Sequence, residues 1–275
     1  MTTPRVVLNG LDLSTPAWGF DHRTLEGLGS PGSTISPRQR ARAHGATAGR
    51  AHLQPRHVRL EGVMTAPTEA ALWAQRDVLT AAVALDDHEM ILHEQGRSRS
   101  LVVRREDEVL VRPVTDRAAR WSVQVVALDP RLVGAPLTAS TALPSTSGGL
   151  TVPIVVPFAV TAAQVSGQVS LVNPGTAPGA VRLRIDGPVS APVVTHVGTG
   201  RSLVFASSLV LQAGEFVVVD MERHEVLAQG QASRTQWVTE RGWSVFEPGP
   251  NTWAFSAGGP APLAKLTVEA VPSWM

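Results

Sequence analysis

Helical periodicity is absent from residue 151 to the end of this chain, and that absence restricts what its second half can fold into. In its place, short β-rich runs recur between breakers. The densest example is residues 213–255. Phe216, Val218 and their neighbours form a β-branched run, a polar turn occupies 220–224, and a return strand begins at 225–227. The pattern then repeats: residues 243–246, the breaker Glu247-Pro248-Gly249-Pro250-Asn251, and residues 253–255. The two prolines fix φ and withhold donors, and Gly249 permits positive φ, so the chain is expected to turn there. Two neighbouring hairpins, with Trp237, Trp243 and Trp253 available for an interior, predict an antiparallel sandwich.

Further runs at 154–160, 168–172, 181–185, 193–197, 203–205, 209–211 and 263–271 keep the short spacing of a sandwich or jelly roll. Asn173-Pro174-Gly175 and Asp186-Gly187-Pro188 bracket one of these strands.

The first half reads differently. Residues 5–8 form a short strand before the turn signal Asn9-Gly10. Val58, Leu60, Gly62 and Met64 alternate with His57, Arg59 and Glu61, the signature of a half-buried strand. Ala66-Pro67-Thr68-Glu69 then opens a helix, since proline suits the first turn and a carboxylate suits the positive end of the dipole. Leu72, Leu79 and Val83 fall on one face, and Trp73 beside it reads as core or subunit interface. Strands follow at 89–93, 100–105, 108–114 and 120–128. The fold class is therefore mainly β: an N-terminal α+β domain with one helix, then a C-terminal antiparallel sandwich. At 275 residues two domains are favoured, and their bounds are expected at 1–134 and 151–275. The stretch 135–150 between them, rich in Ser, Thr, Pro and Gly, reads as a linker or an extended crossing segment.

Composition removes several function classes. The chain has no cysteine, which excludes disulfides, thiolate catalysis and Cys-based zinc or iron–sulfur sites. Its formal net charge of +1 gives no global field for nucleic acid or membrane. No apolar run reaches the length of a membrane span, and the N-terminus lacks the apolar core of a secretory signal, so neither is expected.

No catalytic residue emerges. Asp220, Glu222 and Glu225 cluster in a hairpin turn, where acids are ordinary, and nothing places a carboxylate pair across a glycosidic bond. His196 and His224 lack a partner at metal-ligand spacing, and no glycine-rich phosphate loop occurs. Neither a metal nor a cofactor is expected.

The charge anomaly is residues 36–59. They carry Arg38, Arg40, Arg42, Arg50, Arg56 and Arg59 with three histidines, and no acid lies between Glu26 and Glu61. Three readings apply: an arm that meets a phosphate backbone, an arm that meets an acidic protein surface, and a plain solvated loop. The stacking aromatics of a single-strand binder are missing. For the protein contact, Arg38, Arg40, Arg42 and Arg50 are the candidate residues, and Glu106, Asp107 and Glu108 the candidate acids on an adjoining subunit.

Several motifs together resemble one family, the distal tail (Dit) proteins of siphophages. They are Asn173-Pro174-Gly175-Thr176 ahead of the 181–185 strand, Asp186-Gly187, Gly214-Glu215 leading into 217–220, and the return at 223–226. Trp243-Ser244-Val245-Phe246 with Pro248-Gly249-Pro250-Asn251 and the closing strand at Trp274 continue the series. In the first domain, the helix after Thr65-Ala66-Pro67-Thr68 and the strand ending in Asp129-Pro130-Arg131-Leu132 look similar too.

The resemblance implies an N-terminal domain assembling into a homo-hexameric ring at the end of the tail tube, with a galectin-like sandwich outside it. It implies contacts with the tail tube protein above and the tip hub or baseplate proteins below. A channel would admit the tape measure protein and DNA. It places the protein in the virion tail tip, made in the bacterial host cytoplasm. No large inserted carbohydrate-binding module is present. The alternative is a lectin-like host-recognition module, in which Trp237, Trp243 or Trp253 stacks on a host cell-wall glycan.

Overall fold

The computed structural model describes residues 4–147, 163–259, 261 and 263–275, and the strand expected at 154–160 lies outside them. The chain divides into two compact units, Met1–Gly134 and Ala135–Trp274.

The first unit is built around an antiparallel pair, Arg56–Thr65 and Ala118–Ala127, in register over ten residues. Alternation decides which side chains go inside. Val58, Leu60 and Met64 from one strand, and Trp121, Val123 and Val125 from the other, are buried. Their odd–even partners face outward. The far edge of Ala118–Ala127 is shared between Leu110–Thr115 at one end and the tip of Arg97–Arg105 at the other. His88–Glu94 and Arg5–Leu8 extend the sheet from there. The free edge of Arg56–Thr65 is covered by residues 17–26, through Val63 N–H to Gly19 O (3.1 Å) and Asp21 N–H to Glu61 O (2.9 Å).

Gly62 has a steric reason to be glycine. A Cβ there would meet two ring carbons of Trp121 at 2.7 Å and the Gly19 carbonyl oxygen at 2.7 Å. The indole lies over its cross-strand partner and donates Nε1–H to Trp18 O at 2.7 Å. Sheet, covering loop and aromatic core meet at this point.

Among the described residues one α-helix occurs, Glu69–Ala82. Thr68 is its N-cap, accepting the Ala71 N–H on Oγ1 at 3.2 Å, and Glu69 sits in the first turn. Leu72 and Leu79 form its buried stripe.

The second unit is built on two larger antiparallel sheets, with two short two-stranded ones beside them. One runs Leu137–Ala142, Lys265–Ala270, Val181–Asp186, Phe216–Asp220, Glu225–Ala228 and Ala232–Ser233. The other runs Gln168–Asn173, Gly249–Ser256, Val193–His196, Arg201–Phe205 and Val238–Arg241. Leu183, Val217 and Leu266 from the first sheet share one core with Leu203, Trp253 and Phe255 from the second. The described residues are thus mainly β and antiparallel, in the class expected.

Two details differ from the sequence reading. Residues 213–228 form the first expected hairpin, Phe216–Asp220 with Glu225–Ala228. The second expected hairpin does not exist: residues 243–246 are not a strand, and Gly249–Ser256 pairs with Gln168–Asn173 and Val193–His196 instead. The reason is local. Asn251 folds its side chain back on the turn, donating to Glu247 O (2.7 Å) and Gly249 O (2.9 Å), which shapes a loop rather than a two-strand turn. Second, within the expected linker, Leu137–Ala142 is a sheet strand in register with Lys265–Ala270. Leu137 and Ala139 pack on the core while Thr138 and Ser140 alternate with them.

Replacing Gly62 by Ala should lower the free energy of unfolding by about 1–3 kcal/mol, the usual range for overpacking. Denaturant titration would measure this, and an unchanged midpoint would contradict the contact between Trp121 and Gly62.

Candidate interaction surfaces

The arginine-rich stretch forms a protruding arm. Ser33–Thr34 pairs with His52–Leu53, and further out Pro37–Gln39 pairs with Ala46–Ala48. Every residue from 32 to 55 is exposed. Arg38, Arg40, Arg42 and Arg50 all lie on it, and none forms an ion pair with an acid among the described residues. Ile35 (55% exposed) and Leu53 (39%) are solvated on the same element. Of the acids proposed as its counterpart, Glu106 is already engaged by His57 Nδ1 at 2.7 Å, which leaves Asp107 and Glu108.

One residue closes the neck of this arm. Arg56 follows the arm directly and is 1% exposed. Its Nη1 donates to Gly27 O (2.7 Å) and Gly29 O (2.5 Å), ahead of the arm, and its Nε donates to Pro130 O (2.8 Å). Burial, and secondarily the charge of Arg99, lower its pKa from the ordinary arginine value. Sequence reasoning counted Arg56 with the exposed basic residues; its strand alternation, in phase with Val58 and Leu60, was the available signal.

On the outer face of the sheet, an open cleft of about 480 Å³ is lined by Asp21, Arg59, Glu61, Arg112 and Arg120 among others. Both of its carboxylates are engaged. Glu61 pairs with Arg59 at 2.5 Å and accepts from Ser122 (3.3 Å), while Asp21 accepts the Arg23 N–H (3.0 Å). Arg112 and Arg120 stand directly opposite each other across the strands.

A second hollow, of about 310 Å³, lies between the start of the helix and the end of the strand Leu110–Thr115. Leu72, Trp73, Pro113 and Val114 line it, with Glu69 and Asp116 on its rim. Trp73 is 37% and Val114 59% exposed. Trp73 Nε1–H donates to Glu69 (3.4 Å), and the Arg76 guanidinium lies 4.9 Å from the indole centroid. Trp73 therefore lies at the surface and not in the core, one of the two readings its sequence position had.

The three sandwich tryptophans are not equivalent. Trp253 is fully buried, with Nε1–H donating to Ser244 Oγ (3.3 Å) and its ring against His196 and Phe246. It cannot stack on a sugar, which corrects that expectation. Trp243 is half-buried and stacks with His224 at 4.9 Å and 17°. Trp237 is half-buried with Arg234 over its ring at 5.1 Å.

His196 serves the fold. Asn251 spends both amide protons on carbonyls, so its Oδ1 must accept, and His196 Nε2 carries the proton it shares at 3.1 Å. His196 Nδ1 meets Thr199 Oγ1 at 2.8 Å. Among the described residues no cluster of three His, Asp or Glu side chains is arranged to hold a metal.

These surfaces belong to a β-rich protein whose most prominent exposed features are an arm, a groove and a charged sheet face. No family profile matches the chain, and neither does any curated protein. Solved structures do match. The Dit protein of phage SPP1, described as a paradigm of the hub adsorption apparatus in Gram-positive-infecting phages, superposes with a TM-score of 0.72 over 100% of both chains at 12% identity. A chain of the phage P2 baseplate in its activated conformation with Ca matches with a TM-score of 0.51, 98% of each chain and 8% identity. The chain has a Dit-like fold from end to end.

Replacing Arg56 by Met should remove three charge-assisted bonds at the neck and destabilise the protein by about 1–3 kcal/mol. Trypsin, which should cut first between Arg38 and Arg50 in the unmodified protein, should cut there faster in the variant. Equal unfolding midpoints and equal cleavage rates would show that Arg56 does not hold the arm.

Proposed function

We propose that this chain is a structural component of a phage tail tip. In this reading it is a hub that assembles with copies of itself into a ring at the distal end of the tail tube. The observation that carries the reading is the match of fold to the SPP1 hub protein over the full length of both chains. The P2 baseplate likeness supports the same role. A hexamer, contacts with the tube protein and with tip proteins, and a channel for tape measure protein and DNA are the finer parts of this proposal. So is the assignment of ring formation to residues 1–134, with the sandwich, which begins with the second unit at Ala135, outside the ring. The role is that of a scaffold and not of an enzyme.

The arm supplies a physical route to assembly. A solvated two-stranded hairpin is marginal on its own, and this one exposes Ile35 and Leu53. Cyclic assemblies bring unlike surfaces of neighbouring subunits together, so a basic element on one can meet an acidic surface on the next. Each exposed ion pair contributes at most about 1 kcal/mol, so several must act together.

Electron microscopy of the purified full-length protein should show rings. Changing Arg38, Arg40 and Arg42 to Glu should leave the fold intact and weaken assembly in light scattering, as high salt should for the unmodified protein. Lone particles at every concentration would count against the ring. Normal assembly of the triple variant at low and high salt would remove the arm from it.

A further inference from the structure

We propose that the cleft on the outer face of the first unit's sheet binds an acidic protein segment. One carboxylate of that segment is clasped between Arg112 and Arg120, and its apolar side chains lie against Leu110 and Val63. Such a contact does not depend on the ring: it needs one sheet face and one partner, whether or not copies of the chain assemble.

Register places the charges. Leu110–Thr115, Ala118–Ala127 and Arg56–Thr65 run side by side, so their outward residues form rows across the strands. Arg112, Arg120 and Val63 make one row, and Leu110, Ser122 and Glu61 the next. Residues directly opposite each other stand about 5 Å apart, where like charges destabilise a sheet. A carboxylate between the two guanidiniums removes that repulsion. The chain itself does not supply one: among the described residues neither Arg112 nor Arg120 forms an ion pair or a side-chain hydrogen bond. By contrast Arg5, Arg59, Arg99 and Arg104, on strands of the same unit, each have a carboxylate. The two acids of the cleft are committed elsewhere. Glu61 is held by Arg59 (2.5 Å) and Ser122 (3.3 Å), and Asp21 accepts the Arg23 N–H (3.0 Å).

The rest of the lining selects the partner. Val63 is 41% exposed and Leu110 half-buried, so the clasp is flanked by apolar surface. A nucleic acid carries a charge at every phosphate, and further phosphates would meet Glu61 and Asp21. It would also find no aromatic face for its bases, since Trp121 in the cleft wall is 2% exposed. A peptide places single carboxylates between apolar side chains, which this mixture accepts. Two guanidinium forks can donate to both oxygens of one carboxylate. The base of the clasp is rigid, because Trp121, next to Arg120, packs on Gly62 and donates Nε1–H to Trp18 O. A clasp that is ordered beforehand loses little freedom on binding.

The probe is a fluorescein-labelled peptide with two Leu-Glu repeats, titrated with the full-length protein and followed by anisotropy. Binding should saturate at low salt and weaken as salt rises. Arg112→Gln with Arg120→Gln should weaken it about tenfold. That variant should unfold at the same denaturant concentration or a higher one, because a like-charge pair is gone. Arg223→Gln with Arg241→Gln removes the same charge from exposed positions of the second unit and should leave binding unchanged. Absence of saturable binding overturns the proposal. So does equal affinity in the Arg112 and Arg120 variant, or equal affinity for a peptide with glutamine in place of glutamate. Loss of stability in that variant would assign the pair to the fold instead. Tighter binding of an oligodeoxynucleotide, lost in the same variant, would make the face a nucleic-acid surface. None of these results bears on the ring, which electron microscopy tests separately.

Discussion

A buried guanidinium without a carboxylate holds the first unit in its working shape. Desolvating Arg56 is unfavourable by itself, and burial and Arg99 both act against its charge. Three backbone carbonyls compensate, two from before the arm and one from Pro130. Only a planar fork can reach in those directions at once, so lysine would not serve. The result is an arm with a fixed root and a free body. Because Arg56 is also the first residue of the long strand, the root is coupled to the sheet, and the sheet to the helix that begins beyond Thr65.

Much of this was legible in the residues where the forces are local. Alternation between Val58 and Met64 located the central strand, and Pro67-Thr68-Glu69 located the helix start, since capping and dipole effects act within one turn. Long-range pairing was not legible. The Pro248–Asn251 turn looked like a hairpin because its breakers are real, but the partners of Gly249–Ser256 lie far away in sequence. Leu137–Ala142 looked like a linker because Thr, Ser and Ala carry little hydrophobic signal, yet one neighbouring strand suffices to recruit such a segment. The candidate surfaces divided the same way. The charge of the arm could be read directly, whereas the groove needs Pro113 and Val114 brought to Trp73 by pairing that no spacing reveals. Likewise Trp253, Trp243 and Trp237 differ in burial for reasons that belong to the sandwich as a whole.

The second unit has its own fixed point, and it is polar. Asn251 and His196 form a buried hydrogen-bonded pair, which Thr199 extends to the surface, with each donor matched to an acceptor. Such a network specifies one arrangement of the surrounding strands more sharply than apolar contact does, because any slip leaves a buried group unpaired. It also explains why a histidine and a carboxamide beside Trp253 need not mark a ligand site.

The arm's single sign of charge has a further effect, on molecules that have not yet met their neighbours. A hairpin with open edges and exposed Ile35 and Leu53 has the makings of an aggregation seed. Arg38, Arg40, Arg42 and Arg50 bring like charges together whenever two such hairpins approach each other. Charged residues flanking sticky strands act as gatekeepers in this way, disfavouring edge-to-edge growth. The same side chains therefore set the arm of one molecule against the arm of another, and the charge that leaves it open to an acidic surface also closes it to its own image.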